Sequence, residues 1–243
     1  MNAMPATALV TGSTRGLGLA IAERLCRDGV DVVANYRTHE EQARTAGARL
    51  RAIRPSARVV RADVTDEREV HRLIGETLSQ SGGLDILVNN VGAFAYTPLL
   101  ETGPEEWDRI LRSNLTSAFL CCREAIPHMR TRGRGCIVNI ASMSAGVLRA
   151  TPNTLPYAIA NAGVVLLTRT LARVVGPERI RVNAVCPGFI EGADFPADDP
   201  KTKIPLGRMA HPSEIADVIS YLISENASYV TGAVIDVHGG ALL

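Results

Sequence analysis

The sequence predicts an α/β fold: one doubly wound domain with a seven-stranded parallel sheet and helices on both faces. Three observations predict it. Short, almost wholly apolar runs recur along the chain, as strands buried on both faces require. Segments with apolar residues at helical spacing separate those runs, which is the pattern of βαβ units. The first run ends in a glycine-rich turn that opens straight into a helix.

Taken in order, "ATALVTG" is the first strand and ends in that turn. "GLGLAIAERLCRDG" has apolar residues at helical spacing and stops at Gly29, a residue well suited to end a helix. "VDVVANY" is the second strand, "SARVVRADV" the third and "LDILVNNVG" the fourth. "GRGCIVNIAS" is the fifth, "RIRVNAVCPG" the sixth and "GAVIDVHGG" the seventh. Long helical runs are read at about 66–80, 104–130, 157–175 and 212–224. No linker, repeat or low-complexity stretch divides the chain, so residues 1–243 read as one domain.

Composition narrows the classes. Apolar residues make up 46% and charged residues 21%, ordinary for a protein with a sizeable core. A net charge of +1 gives no case for nucleic acid or an anionic membrane as partner. The start, "MNAMPATALVTG", has no basic region followed by a long apolar run, so no leader or anchor is expected there. No run of about 18 apolar residues suggests a membrane span. The five cysteines, Cys26, Cys121, Cys122, Cys136 and Cys186, form no CxxC and lie mostly in apolar runs. They read as reduced, buried thiols of a cytoplasmic protein. The five histidines show no paired spacing, so no metal site is expected. Of the 26 basic residues, all but Lys201 and Lys203 are arginines.

The turn "TGSTRGLG" at 11–18 carries the first functional signal. Its glycines give a tight turn, let backbone approach a pyrophosphate, and let helix and strand pack closely. The helix N-terminus behind it offers free N–H groups and the positive end of a dipole. This is a Rossmann-type dinucleotide cradle, with Gly12, Ser13, Arg15, Gly16, Leu17 and Gly18 as candidate binding residues. Sites that take NAD usually place an acidic residue at the end of the second strand. Here Asn35, Tyr36 and Arg37 occupy it. Arg37, with Arg15, can clamp a 2′-phosphate, because guanidinium pairs well with phosphate and no carboxylate repels it. NADPH is the expected cofactor.

Further motifs follow in a fixed order: "DV" at 63–64, "NNVG" at 89–92, Asn114, Ser142, Tyr157 and "PG" at 187–188. With the glycine turn, they make the chain resemble a short-chain dehydrogenase/reductase over essentially its whole length. The segments "LARVVGPERIRVNAVCPGFIEG" and "IPLGRMAHPSEIADVISYLISENASYVTGAVIDVHGG" most resemble 3-oxoacyl-(acyl-carrier-protein) reductases. The resemblance implies that Asp63 and Val64 hold the adenine and that Asn90 and Gly92 lie along the cofactor. It implies that Pro187, Gly188 and Ile190 flank the nicotinamide. Ser142 would hydrogen-bond the substrate carbonyl, Tyr157 would protonate it, and Asn114 would hold a water in a proton relay. It also implies a homo-oligomer, a tetramer or dimer, through the helices at about 104–130 and 157–175, where Val164, Val165, Leu167 and Leu171 supply apolar positions.

The stretch "YAIAN", Tyr157 to Asn161, departs from that family. The family carries lysine where Asn161 stands. The lysine bonds the nicotinamide ribose and its charge lowers the tyrosine pKa. Asparagine can still bond the ribose with its amide but supplies no charge. An opposite charge typically shifts a neighbour's pKa by about 1–3. Reduction tolerates the loss better than oxidation, since its tyrosine starts as the neutral acid. Arg149, Lys201 and Lys203 are candidate replacement cations. The short, proline-punctuated stretch at about 189–206, with Pro196, Pro200 and Pro205, predicts a partial lid over an open cleft. Arg130, Arg132 and Arg173 match places where carrier-protein reductases carry docking arginines.

The expected activity is NADPH-dependent reduction of a carbonyl, either a 3-oxoacyl thioester or a cyclic ketone, on a small or carrier-bound substrate. Two rivals keep the scaffold. One is a non-redox dehydratase, isomerase or cyclase using Ser142 and Tyr157. The other is a degenerate nucleotide-binding partner subunit.

Overall fold

A computed structural model describes residues 6–143, 145–146, 150–193, 202 and 204–243. Strands β1 (Thr7–Val10), β2 (Asp31–Tyr36), β3 (Arg58–Arg61), β4 (Ile86–Asn89), β5 (Gly135–Ile140), β6 (Ile180–Pro187) and β7 (Val234–Val237) form one parallel sheet. Its order is β3-β2-β1-β4-β5-β6-β7. The order reverses between β1 and β4, and in such sheets ligands bind at the carboxyl ends of the strands beside that reversal.

Helices α1 (Gly16–Arg27), α2 (Glu40–Ile53) and α7 (Pro212–Ile223) cover one face. Their Ile21, Leu25, Leu50, Ile215 and Ile219 pack with Ala8 and Val10 of β1 and Val138 of β5. Helices α3 (Glu67–Ser81), α5 (Ser117–Arg132) and α6 (Leu155–Val175) cover the other. There Leu73, Ile74, Ala125, Met129 and Val175 pack with Leu9, Leu87 and Ile137. Neighbours along β1 thus serve opposite cores, and all four of its residues are buried. That is why the strand runs read as apolar throughout instead of alternating.

Three elements differ from the expectation. Helix α2 is additional to the helical runs read from sequence. Its buried face is Ala43, Ala46, Gly47 and Leu50, at helical spacing but nearly all small. The small face permits close approach: a Cβ on Gly47 would stand 2.9 Å from Val59 Cγ2. The run read at 104–130 is divided into α4 (Pro104–Leu111), a π-helical turn (Arg112–Thr116) and α5. Asn114 accounts for the break: its Nδ2 donates to the Ile110 carbonyl at 2.9 Å and to the Ala93 carbonyl at 2.8 Å, competing with the regular backbone ladder.

The third difference is α6. With its 3-10 extension it spans Leu155–Glu178, long and apolar enough by length and composition to cross a membrane. The expectation that no such run exists is therefore corrected. Val164, Val165, Thr168, Ala172 and Val175 are buried, while Leu166 and Val174 face outward at 67% and 56% exposure. In this fold it is a sheet-covering helix with an apolar outer face.

Candidate active site

The glycine turn sits at the carboxyl end of β1, beside the sheet reversal. Gly12 and Gly16 adopt φ of +59° and +52°, which favour glycine. Gly18 is required for a different reason: a Cβ there would lie 2.6 Å from Asn90 Nδ2 and 2.8 Å from Ser13 Cα. Helix α1 begins at Gly16, and its N-cap residue Arg15 makes no side-chain cap. Its N–H groups therefore stay available to an anion. Leu17 lies on the first turn of α1.

Asn35 stiffens this turn. Its Oδ1 accepts from the Gly12 N–H at 3.2 Å, and its Nδ2 donates to the Ala62 carbonyl at 3.0 Å. Its backbone N–H donates to Ser13 Oγ at 3.1 Å. Asn35 is 1% exposed, so this side chain is scaffolding. Arg37 and Arg15 are both exposed. Arg37 Nη1 lies 3.4 Å from Asp63 Oδ2. Burial alone would push the Asp63 carboxyl up. Hydrogen bonds from the Thr65 hydroxyl and backbone N–H, with Arg37 beside them, together hold it below its ordinary value. Val64 is buried next to it.

A second group of residues meets at the carboxyl ends of β4, β5 and β6. Leu17, Asn90, Gly92, Asn114, Tyr157, Asn161, Pro187, Gly188 and Ile190 line one cavity of about 240 Å³. Asn90 Nδ2 donates to the carbonyls of Thr11 and Gly12, which joins this cavity to the glycine turn. A Cβ on Gly92 would stand 2.5 Å from Asn114 Oδ1, and one on Gly188 would stand 2.7 Å from His238 Cα. Glycine at both places keeps the floor open. A free helix N-terminus, a glycine turn and an adjoining cavity that reaches Leu17 fit a dinucleotide.

Ser142 follows β5 and Tyr157 lies in the first turn of α6. Burial pushes the Tyr157 phenol above its ordinary pKa; hydrogen bonds with the side chains of Ser142 and Asn161 act the other way. Asn161 is 2% exposed, and its Nδ2 donates to the Tyr157 backbone carbonyl at 2.8 Å. The asparagine thus folds back on its own helix. The groups acting on the phenol, among the described residues, are burial, these two neutral side chains and the Cys186 thiol. Cys186 is itself pushed up to about 12, chiefly by burial.

Several expectations fall elsewhere. Arg149, Lys201 and Lys203 lie outside the described residues, as does half of the stretch read as a lid, Pro196 and Pro200 included. Arg130 is engaged by Glu178 at 2.8 Å and Arg132 by Asp85 at 3.0 Å. Two of the three docking candidates are thus tied within the chain, and the third, Arg173, is exposed. A larger groove, about 1090 Å³, runs along the outer edge of β3 between Arg37, Arg58, Arg61 and Arg72. It includes neither Ser142 nor Tyr157.

Sequence reasoning missed three features of the site. Phe94, just past "NNVG", stands edge-on to Tyr157 with ring centroids 5.1 Å apart. Asn89, Asn139 and Thr168 form a buried polar ladder beneath the cavity: Asn89 Nδ2 donates to Asn139 Oδ1 at 2.8 Å, and Asn139 Nδ2 to Thr168 Oγ1 at 2.9 Å. The repeated "VN" of "ILVNN" and "CIVNI" was the available signal for it. Cys186 beside Tyr157 was visible only as one more apolar cysteine.

Comparison with known proteins agrees with this geometry. Residues 12–241 match the family model described as enoyl-(acyl carrier protein) reductase. The chain is 37% identical over 243 residues to the 3-oxoacyl-(acyl-carrier-protein) reductase FabG of Staphylococcus aureus strain Mu50, covering 98% of each chain. It is 38% identical to 3beta-hydroxysteroid dehydrogenase 1 of Eggerthella lenta, covering 98% of this chain and 94% of that one. A dehydrogenase/reductase from Sinorhizobium meliloti 1021 superposes with a TM-score of 0.91 at 34% identity, over 98% of this chain and 95% of that one. A variant short-chain dehydrogenase/reductase of Serratia marcescens gives 0.92 at 31% identity, over 99% of both. The chain belongs to the short-chain dehydrogenase/reductase family, oxidoreductases that work with nicotinamide cofactors.

Proposed function

We propose that the protein is an NADPH-dependent carbonyl reductase, acting on a 3-oxoacyl thioester or cyclic ketone, with Tyr157 as proton donor. The observation that carries this reading is the placement of Tyr157: its hydroxyl is hydrogen-bonded by the side chains of Ser142 and Asn161, and it lines the cavity at the carboxyl ends of the strands. Burial raises its pKa above the ordinary phenol value, so near neutral pH the group is a neutral acid poised to give a proton. A phenol held in that state serves reduction, whose last requirement is a proton at the carbonyl oxygen. Oxidation would need the phenolate.

The residues divide the work. Gly12, Ser13, Arg15, Gly16, Leu17 and Gly18 hold the pyrophosphate end, with Asp63 and Val64 at the adenine. Arg15 and Arg37 bind a 2′-phosphate. Asn90, Gly92, Pro187, Gly188 and Ile190 position the nicotinamide end, and Asn161 reaches the adjoining ribose. When bound, the cofactor supplies a hydride to the carbonyl carbon. Ser142 donates a hydrogen bond to the carbonyl oxygen and holds the Tyr157 hydroxyl in register. Tyr157 delivers the proton to that oxygen. Asn114, fixed at the π-helical turn, holds a water behind the site.

The chain functions as one domain with a short substrate loop at about 189–206. It self-associates through α5 and α6 by the exposed Phe119, Leu166 and Val174, not by Val164 and Val165, which are buried against Ala141 and Cys186. An apolar groove of about 240 Å³ lies between these helices. The relatives named for 3-oxoacyl-(acyl-carrier-protein) reduction and for a hydroxysteroid support a small or carrier-bound carbonyl substrate.

The test is NADPH consumption, followed by absorbance, with a panel of 3-oxoacyl thioesters and cyclic ketones. Turnover with NADPH that exceeds turnover with NADH supports the reading. Binding of NADPH with a changed product and no consumption of cofactor would replace it with the non-redox reading.

A further inference from the structure

Phe94 belongs to none of the motifs, yet it touches the candidate acid. Its ring meets that of Tyr157 edge-to-face, with an interplanar angle of 82°, and both rings line the same cavity. Phe94 is still 46% exposed, so the part of the ring not against Tyr157 faces open space. The segment that carries it is fastened. The Tyr96 hydroxyl accepts a hydrogen bond from Asn153 Nδ2 at 2.8 Å. The N–H groups of Thr97 and Leu99 donate to the carbonyls of Asn153 and Pro152, both at 2.8 Å. Asn153 precedes Thr154, the N-cap of α6, the helix that carries Tyr157. The Phe94 segment and the Tyr157 helix are therefore stitched together at three points, which holds the two rings in register.

We propose that Phe94 is a specificity-determining residue: a fixed aromatic wall that receives an aryl or alicyclic ring attached directly to the substrate carbonyl. The carbonyl oxygen has to reach the Tyr157 hydroxyl. A ring on the carbonyl carbon then lies beside Phe94, since aromatic partners interact at centroid separations of about 4.5–7 Å. Ala93, small and in the same cavity, leaves space next to that wall. A linear acyl chain meets the same wall with less contact area and no ring–ring geometry. This assigns the site to cyclic and aryl ketones before linear 3-oxoacyl thioesters. It rests on the reductase reading for turnover, but not for binding.

The experiment uses the full-length protein saturated with NADPH and two probes: 1-tetralone, and the linear N-acetylcysteamine thioester of 3-oxobutanoate. For a probe that is reduced, kcat and KM are read from absorbance; for one that is not, ternary-complex Kd is read from NADPH fluorescence. The native protein is expected to favour 1-tetralone. Phe94→Leu is expected to lower the tetralone-to-thioester preference about three- to tenfold, chiefly through KM or Kd, while Phe94→Tyr keeps it within about twofold. Because Phe94 is half exposed, both variants are expected to fold, and a melting curve checks this. A preference for the thioester in the native protein overturns the proposal. So does an unchanged ratio in Phe94→Leu, an equal fall in Phe94→Tyr, or no tetralone binding at cofactor saturation. If neither probe is reduced, the reductase reading fails, and the Kd ratio alone still decides the role of Phe94.

Discussion

Replacing Asn161 by lysine restores a charge where the phenol has neutral neighbours. Tyr157 and Asn161 lie one helical turn apart, and such side chains stand about 5–6 Å from each other. A unit charge at about 5 Å, in an effective dielectric near 20, interacts with a phenolate by about 3 kcal/mol. That lowers the phenol pKa by about 2. If the whole effect appears in the barrier, the rate changes about 100-fold, and the usual range of such shifts brackets this at about 10- to 1000-fold. The sign is fixed by the native state. Burial holds the native phenol above its ordinary value, so its neutral form persists to higher pH than that of a free phenol. In Asn161→Lys the alkaline limb of carbonyl reduction moves down by about two pH units, and alcohol oxidation near neutral pH gains most. The assay is the pH profile of kcat/KM in both directions, beside NADPH Kd. Superimposed profiles with kcat/KM within about twofold, and NADPH binding retained, would refute the reasoning.

Four further outcomes are expected. Arg37→Ala raises KM for NADPH about 10- to 100-fold and leaves NADH nearly unaffected, as loss of a charge-assisted phosphate contact demands; equal effects on both cofactors would count against the 2′-phosphate role. Gly18→Ala forces a Cβ against Asn90 and Ser13, destabilises the fold by about 1–3 kcal/mol and weakens NADPH binding. Gly75→Ala, in α3 with nothing within 4 Å of the new Cβ, instead stabilises by about 0.5–1 kcal/mol; melting curves and NADPH titration separate the two. Finally, burial pushes Cys26 and Cys136 up to about 11, and Cys122 and Cys186 up to about 12. Thiols of an unfolded chain ionise near pH 8.5, so this contribution is present below that pH and is lost as pH rises toward 11–12. The melting temperature should fall across that window, and thiol reagents should label the native protein slowly at pH 8 and the unfolded one fast.

Much of the site was legible because its requirements are local. Gly12 and Gly16 are glycine for a backbone conformation. The end of β1 and the start of α1 are adjacent in sequence, so the cradle could be read as one string. Asn35 shows where local reading stops. Its place at the end of β2 was recognised, but its job was assigned by what it is not, an acid. The fold makes it a brace between β2, the glycine turn and the chain after β3. Phe94 was illegible for a similar reason: its partner Tyr157 is far along the chain, and only the stitched loops bring the rings together. The π-helical turn escaped notice because one side chain, Asn114, competes for a carbonyl that helical periodicity counts as satisfied.

The sequence by itself determined the parallel α/β fold, the glycine turn at the end of its first strand and the neutral side chain at Asn161, since burial pattern, glycine geometry and residue identity are all written locally. Tertiary structure alone decided that Tyr157 sits in a site that raises its pKa, that Arg130 and Arg132 are spent on Glu178 and Asp85, and that Phe94 walls the cavity. Desolvation, ion pairing and ring contact depend on which distant residues fold against a group, and no reading along the chain contains that.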